Sequence, residues 1–271
     1  METLERKEYF MLNRFIADIQ KYFHYSIVSA RSQLKSEVAN SYLNWLWWIL
    51  DPLCFMLIYT FIFGYVFHAR EPYFPVFIFI GLSMWDFFNR MVTGSIKIVK
   101  NNKAIVSKVY LPKYILVLVR MWVNGFKMLV SFGIVALMML IWQVPLTWNL
   151  LYFFPVVFLL MLFSFGCSLH LLHYGVFVED LSNVVNIVLR MVFYLTGIFY
   201  NVVTRMPAPY GEWLIRYNPM AFFLESMRNA LLYGKTPHRK LMIAWFLMSL
   251  VLVIMGVRKI YWNENSYVKV I

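Results

Sequence analysis

Residues 113–142 read KYILVLVRMWVNGFKMLVSFGIVALMMLIW, a run in which only Lys113, Arg120 and Lys127 carry charge. Wound as a helix it extends about 45 Å, more than the roughly 30 Å of hydrocarbon in a bilayer. An apolar surface of that length is read as a membrane span. Comparable runs stand at about 42–67, 74–96, 150–177, 183–203 and 240–260. Composition agrees: of 271 residues, 62% are hydrophobic, 20% aromatic and only 14% charged, with a mean hydropathy of +0.65. A soluble domain is far less apolar. The expected fold is an all-α integral membrane protein of six spans, forming a single membrane domain over residues 1–271.

Charge placement suggests orientation. Basic residues expected on one side are Arg6, Lys7, Arg14, Lys21, Arg31 and Lys35 before span one, the five lysines of KIVKNNKAIVSKVYLPK (97–113), and Arg258, Lys259 and Lys269. The other side holds Arg70, Arg205, Arg216, Arg228, Lys235, Arg239 and Lys240. Fourteen against seven places both termini in the cytoplasm. The net charge of +12 is carried by residues flanking apolar runs, where anionic headgroups attract each by about 1 kcal/mol. The partner implied is a membrane surface rather than nucleic acid. No short apolar core followed by a cleavage site precedes span one, so that span is expected to direct insertion. Leu12, Phe15, Ile16, Ile19, Phe23 and Ile27 recur at helical spacing with Asn13, Lys21, His24 and Arg31 on other sides. The expectation is an interfacial amphipathic helix, or else a cytoplasmic helix packed on the protein. Cys54 and Cys167 fall inside spans and suggest no redox role.

Catalytic motifs are not readable. YGKTP (233–237) contains Gly-Lys-Thr, but Asn229 stands where a phosphate loop needs its first glycine and the preceding residues look helical. His170 and His173 lack further ligands at a recognisable spacing, so no metal is expected. No acid pair or nucleophile triad has an anchor in the chain.

Charges inside spans carry more information, because each costs about 2.5–3.5 kcal/mol to insert. Asp86 and Arg90 stand four apart in span two and suit a neutralised pair. Arg120, Asn124 and Lys127 form one polar stripe in span three. Two readings stand: the stripe faces a transport path and attracts an anionic group, or it pairs with Asp51 or Asp86. Aromatic clusters offer Tyr42, Trp45, Trp48, Trp85 and Phe88 as candidates for lining a path, since ring faces pack on the C–H faces of sugars. Interfacial belts are the alternative. Between spans five and six, about 36 residues punctuated by Pro207, Pro209, Pro219 and Pro237 show helical periodicity from about Ala221 to Leu232.

Three blocks together resemble the permease subunits of ATP-binding-cassette exporters for lipid-linked polysaccharides such as O-antigen, capsule and wall teichoic acid. They are RSQLKSEVANSYLNWLWWILDPLCFMLIYTFIFGYVF (31–67), YFPVFIFIGLSMWDFFNRMVTGSIKIVKNNKAIVSKVYLPK (73–113), and VFVEDLSNVVNIVLRMVFYLTGIFYN (176–201) with YNPMAFFLESMRNALLYG (217–234). Three positions depart from the family's pattern: Asn44 replaces a usual glycine, Glu179 an arginine before the aspartate, and Gly197 a common proline.

The resemblance implies a homodimer, each copy bound to a separate ATPase subunit that holds ATP and Mg, with no cofactor in this chain. Residues 1–41 would form the cytoplasmic interfacial helix, 42–203 spans one to five, 204–239 outer gate helices, 240–260 span six and 261–271 a cytoplasmic tail. A coupling loop over 99–111 would dock on the ATPase through Asn101, Asn102, Lys103, Ile105, Lys108, Val109 and Tyr110, as a short helix ended by Pro112. Arg31, Lys35, Arg120 and Lys127 would meet the pyrophosphate head. Phe222, Phe223, Glu225 and Arg228 would build the outer gate. The function implied is export of a lipid-pyrophosphate-linked glycan across a bacterial plasma membrane, FFLESMRNALLY (222–233) leaning to the teichoic-acid branch. The alternatives are an ABC drug or small-molecule exporter of the same architecture, and a secondary transporter or membrane enzyme acting alone.

Overall fold

The computed structural model describes residues 2–39, 42, 44–68, 71–264, 266 and 267, with side chains from Asn13 onward except that of Asn44. Readings that rested on Arg6, Lys7, Leu12, the Asn44 side chain, Arg70 and Lys269 lie outside the described residues. The described backbone is helical, and five of its helices are long and apolar enough to cross a membrane.

Helix α1 (Glu2–Val38) precedes α2 (Trp47–Tyr59), which continues as a π-helical stretch over Thr60–Val66. Next come α3 (Phe74–Ile96), two single-turn helices α4 (Ile98–Asn101) and α5 (Lys103–Val106), then α6 (Lys113–Ile141) and α7 (Phe153–Phe177). The chain continues through α8 (Leu181–Leu195), α9 (Val202–Arg205), α10 (Tyr210–Tyr217), α11 (Pro219–Leu231) and α12 (Arg239–Trp262).

α3 is the centre of the bundle. Val76 through Ile80 have no solvent access at all, because α2, α6, α7, α8 and α11 surround the helix. Helices in lipid associate through close packing rather than a hydrophobic drive, and small residues permit the approach. Gly175 of α7 shows this most sharply, since a Cβ there would stand 2.1 Å from the Ile96 carbonyl oxygen. Buried serines do not break the apolar packing. Ser83, Ser95 and Ser164 each donate to the carbonyl four residues back, and Ser168 donates to Met91 O at 3.2 Å.

Side-chain contacts define two ends. At one, Lys259 reaches Tyr174, Lys100 reaches Glu179, and Arg14 reaches Glu264. At the other, Glu71 accepts from Thr204 and Tyr233, and Arg239 donates to Tyr152. α1 does not stand apart from the bundle. Phe15, Phe23, Ser26 and Ala30 pack on Tyr114, Trp122 and Val119 of α6, whereas Ile16 and Ile27 from the expected apolar face remain exposed. The apolar pattern on α1 thus serves two directions, one toward the protein and one away from it.

Span five departs from its expected bounds. Helix α8 stops at Leu195 rather than near 203, so it extends about 22 Å. Gly197 takes a φ of +73°, the left-handed conformation that ends helices, and Asn201 restarts the chain by accepting from Val203 and Thr204 N–H groups. α11 begins in the same way: Asn218 accepts from Met220 and Ala221 N–H groups, and Pro219 occupies the first turn, where its missing N–H costs nothing.

Candidate functional site: the α6 polar face and the loop at its base

The loop at the base of α3 and α6 is built from two unequal halves. Ile98 and Val99 anchor α4 in the core, and the Asn102 side chain donates to Ile98 O at 2.8 Å, closing that turn. From residue 103 to 112 beyond it, Val106, Leu111 and Pro112 are buried. Ile105, Val109 and Tyr110 are exposed at 41%, 59% and 55%, and Asn101, Lys103 and Lys108 are exposed beside them. The loop is therefore not one helix running to Pro112. It is a pair of turns followed by an extended arm, with apolar and basic side chains turned outward together. Lys113, expected near lipid headgroups, is only 3% exposed and pairs with Glu264 at 3.8 Å.

A hydrogen-bond network fastens this arm. Tyr114 donates to Asp18 at 2.8 Å and lies 2.8 Å from the Tyr261 hydroxyl, which reaches the same carboxylate oxygen at 3.1 Å. The Tyr110 hydroxyl meets Arg14 and, at 3.1 Å, Glu264. Burial, and then the Glu264 carboxylate, push the Tyr110 phenol above its ordinary pKa. Three segments remote in sequence, α1, the loop and the end of α12, are thus joined through one carboxylate cluster.

Above the network, α6 presents the stripe of Arg120, Asn124 and Lys127, and the fold divides it between two cavities. Arg120 borders a polar cleft of about 400 Å³ with Tyr25, Ser29, Ser32, Gln33, Ser36 and Asn101, between α1, the loop and α6. Its Nε donates to Arg90 O at 3.0 Å, a position open only because residue 94 is glycine. Asn124 and Lys127 border a second cavity, about 240 Å³, with Glu37, Trp48, Asp51, Asp86 and Arg90. There Arg90 holds Asp86 at 2.7 Å and Asp51 at 3.9 Å, while Lys127 pairs with Glu37 and lies over the Trp48 ring. The expected Asp86–Arg90 pair is present. Lys127 takes neither Asp51 nor Asp86, because α1 brings Glu37 to it instead.

The remaining candidates separate. Arg31 and Lys35 are exposed on α1 next to the serine-lined cleft. Tyr42 and Trp45 are exposed, Trp48 borders the charged cavity, and Trp85 and Phe88 are buried in the bundle. Phe222 and Phe223 are buried as well, and Glu225 accepts from Asn229 at 3.2 Å. Arg228 is 1% exposed; its guanidinium donates to Phe77 O, Gly197 O and Ile198 O and lies over the Phe77 ring. Arg228 ties α11 to α3 and to the turn after α8, while the Phe223 ring packs on Phe163 of α7 and Trp245 of α12.

YGKTP is a helix end rather than a nucleotide cradle. Gly234 has a φ of +58°, and Lys235 N–H donates back to Asn229 O at 2.8 Å, so the amides a phosphate would need are engaged in ending α11. His170 and His173 bond separately, to Leu252 O and the Tyr267 hydroxyl, and the described residues hold no cluster able to bind a metal. Two features escaped the sequence reading. Lys100 and Glu179 pair at 3.6 Å, linking the loop to the α7–α8 turn, with the residue that departs from the family's arginine as its acid. Arg190 lies in α8, where Asn183, Asn186, Arg190 and Tyr194 gave a legible stripe at helical spacing.

A multi-pass helical membrane protein with polar cavities along one span and an exposed basic loop at its base belongs to the class of membrane transport subunits. Residues 27–232 match the ABC-2 type transporter membrane family, and the chain belongs to that family. It is similar to the O-antigen export system permease protein RfbA of Klebsiella pneumoniae, 26% identical over 90% of this chain and 93% of that protein. The RfbA of Myxococcus xanthus is 24% identical over 89% and 92%. The polysialic acid transport protein KpsM of Escherichia coli is 24% identical over 74% and 79%.

Proposed function

We propose that this chain is the membrane subunit of an ATP-driven exporter that carries a lipid-pyrophosphate-linked polysaccharide outward across the bacterial plasma membrane. The observation that carries the reading is the end-to-end similarity to permeases named for O-antigen export, joined by a permease named for polysialic acid. The shared chemistry of those names is a sugar polymer. A teichoic-acid cargo rests on FFLESMRNALLY alone and is the narrower form of the same proposal.

ATP and Mg are held by a partner ATPase, to which the arm over residues 99–111 offers Ile105, Val109 and Tyr110 for a groove and Lys103 and Lys108 for acids. The excess of basic residues at that end supports a cytoplasmic position for it and for both termini. α8 then completes a sixth crossing. Along Trp47–Val66 only Met56 is buried, and α8 buries Leu189 alone, so a second copy of the chain is the expected cover for these faces.

The test is depletion of the chain in its host, with lipid-linked glycan measured on each side of the membrane. Accumulation inside supports the reading, and unchanged export of glycan overturns it. Copurification of an ATPase chain separates it from a transporter or enzyme acting alone.

A further inference from the structure

α8 has a polar edge that the reading above does not use. Asn183, Asn186, Arg190 and Tyr194 recur at steps of three and four residues, on one side of the helix. Leu189 and Phe193 on the adjoining side fasten α8 to α3, the Phe193 ring standing 5.3 Å from Trp85. Between the two helices lies an open groove of about 480 Å³ bordered by Trp85, Asn89, Asn186, Arg190 and Tyr194. Trp85 is the middle residue of α3, so the groove lies halfway across the span.

The cations of α3, α6 and α11 are engaged, Lys113 by Glu264. Arg90 has Asp86, Arg120 has the Arg90 carbonyl, Lys127 has Glu37, and Arg228 has three carbonyls. Arg190 is exposed and, among the described residues, has neither an acid within ion-pair distance nor a hydrogen-bond partner. A guanidinium does not shed its proton in a protein, so at bilayer depth it requires water, an anion or both. The amides of Asn89 and Asn186 beside it can each donate and accept, which suits neutral hydroxyl groups.

We infer that this groove is a mid-membrane station on the substrate path, where Arg190 binds the diphosphate ester of a lipid-linked glycan through a charge-assisted fork and the asparagines bind sugar hydroxyls. The inference rests on the exporter reading and adds a site to it.

The test uses the purified permease–ATPase complex in lipid nanodiscs, with farnesyl diphosphate as probe and ATP hydrolysis as readout. Arg190→Gln is expected to raise the half-saturating probe concentration about tenfold or more, and Arg190→Lys to give an intermediate value, since a lysine keeps the charge without the fork. Equal response of wild type and Arg190→Gln overturns the site while leaving the exporter reading standing. No response of the wild-type complex to the probe likewise overturns the site, and the exporter reading is decided separately by the depletion experiment. Dissociation of the permease pair in Arg190→Gln, seen by light scattering, assigns Arg190 to an ion pair with the second copy and overturns the site. Should Arg190→Gln fail to fold, Asn186→Cys in a chain with Cys54→Ser and Cys167→Ser serves instead. A charged, water-soluble thiol reagent is expected to modify it, more slowly with farnesyl diphosphate present; no modification, or no protection, overturns the inference.

Discussion

The Tyr114 hydroxyl donates to the Asp18 carboxylate at 2.8 Å, joining the N-terminal helix to the first turn of α6 directly beside the basic loop. The same oxygen is within 3.1 Å of Tyr261 near the end of α12, so a push on the loop is passed to two other helices through one acid. Asp18→Ala is expected to lower stability by about 2 kcal/mol, since it leaves two phenols without their charged acceptor. ATP hydrolysis by the assembled complex should persist while glycan moved per ATP falls, measured by parallel transport and phosphate-release assays.

Lys103 and Lys108 are exposed and unpaired among the described residues, whereas Lys113 is buried against Glu264. Double reversal to Lys103→Glu and Lys108→Glu should weaken ATPase binding about tenfold, as expected for two exposed ion pairs at roughly 0.5–1 kcal/mol each. The effect should shrink at high salt. Titration of the ATPase onto immobilised permease at two ionic strengths checks both statements.

Lys127 and Glu37 are paired at the rim of the charged cavity. Lys127→Met leaves a carboxylate beside apolar packing, and Glu37→Gln leaves an ammonium. If the pair is structural only, the double variant recovers the transport lost by each single one; if Lys127 also guides an anionic group, the double variant stays defective. A double-variant cycle on transport rate and on thermal stability separates the two roles, the stability term being about 1–3 kcal/mol.

Arg228 satisfies three carbonyls from two segments with one guanidinium. Arg228→Met leaves them unmet in a fully buried site and should cost about 3–5 kcal/mol, enough to abolish folded protein in detergent. Arg228→Lys is expected to fail nearly as badly, because an ammonium cannot span the fork. Size-exclusion profiles and thermal unfolding of the solubilised chain report the outcome.

Gly175 and Gly133 offer a paired test of packing. A methyl at 175 meets the rigid Ile96 carbonyl, while one at 133 meets nothing within 4 Å. Gly175→Ala should cost about 3 kcal/mol through separation of α3 and α7, and Gly133→Ala should be neutral or slightly stabilising. Thermal unfolding of both variants in one detergent checks the contrast.

Much of this was legible in the chain because the property that makes a span is local. A run such as 74–96 contains its own hydrophobic length, and α3 covers those residues. The Asp86–Arg90 pair was also legible, being one helical turn apart. The early end of α8 was harder: Leu195 is followed by more apolar residues, and only the left-handed Gly197 and the capping Asn201 stop the helix there. The placement of α1 was obscured because it carries apolar side chains in two directions, and periodicity alone does not say which direction meets protein.

The sequence by itself determined that the protein lives in a membrane, where most spans lie, and which side chains are costly there, since burial in lipid depends on each segment's own composition. Tertiary structure alone decided what each costly group meets. Lys127 found Glu37 across 90 residues and Arg14 found Glu264 across 250, while Arg190 was left open on a groove. Coulomb attraction and hydrogen bonding act over a few ångströms, and which residues come that close is set by how the helices pack.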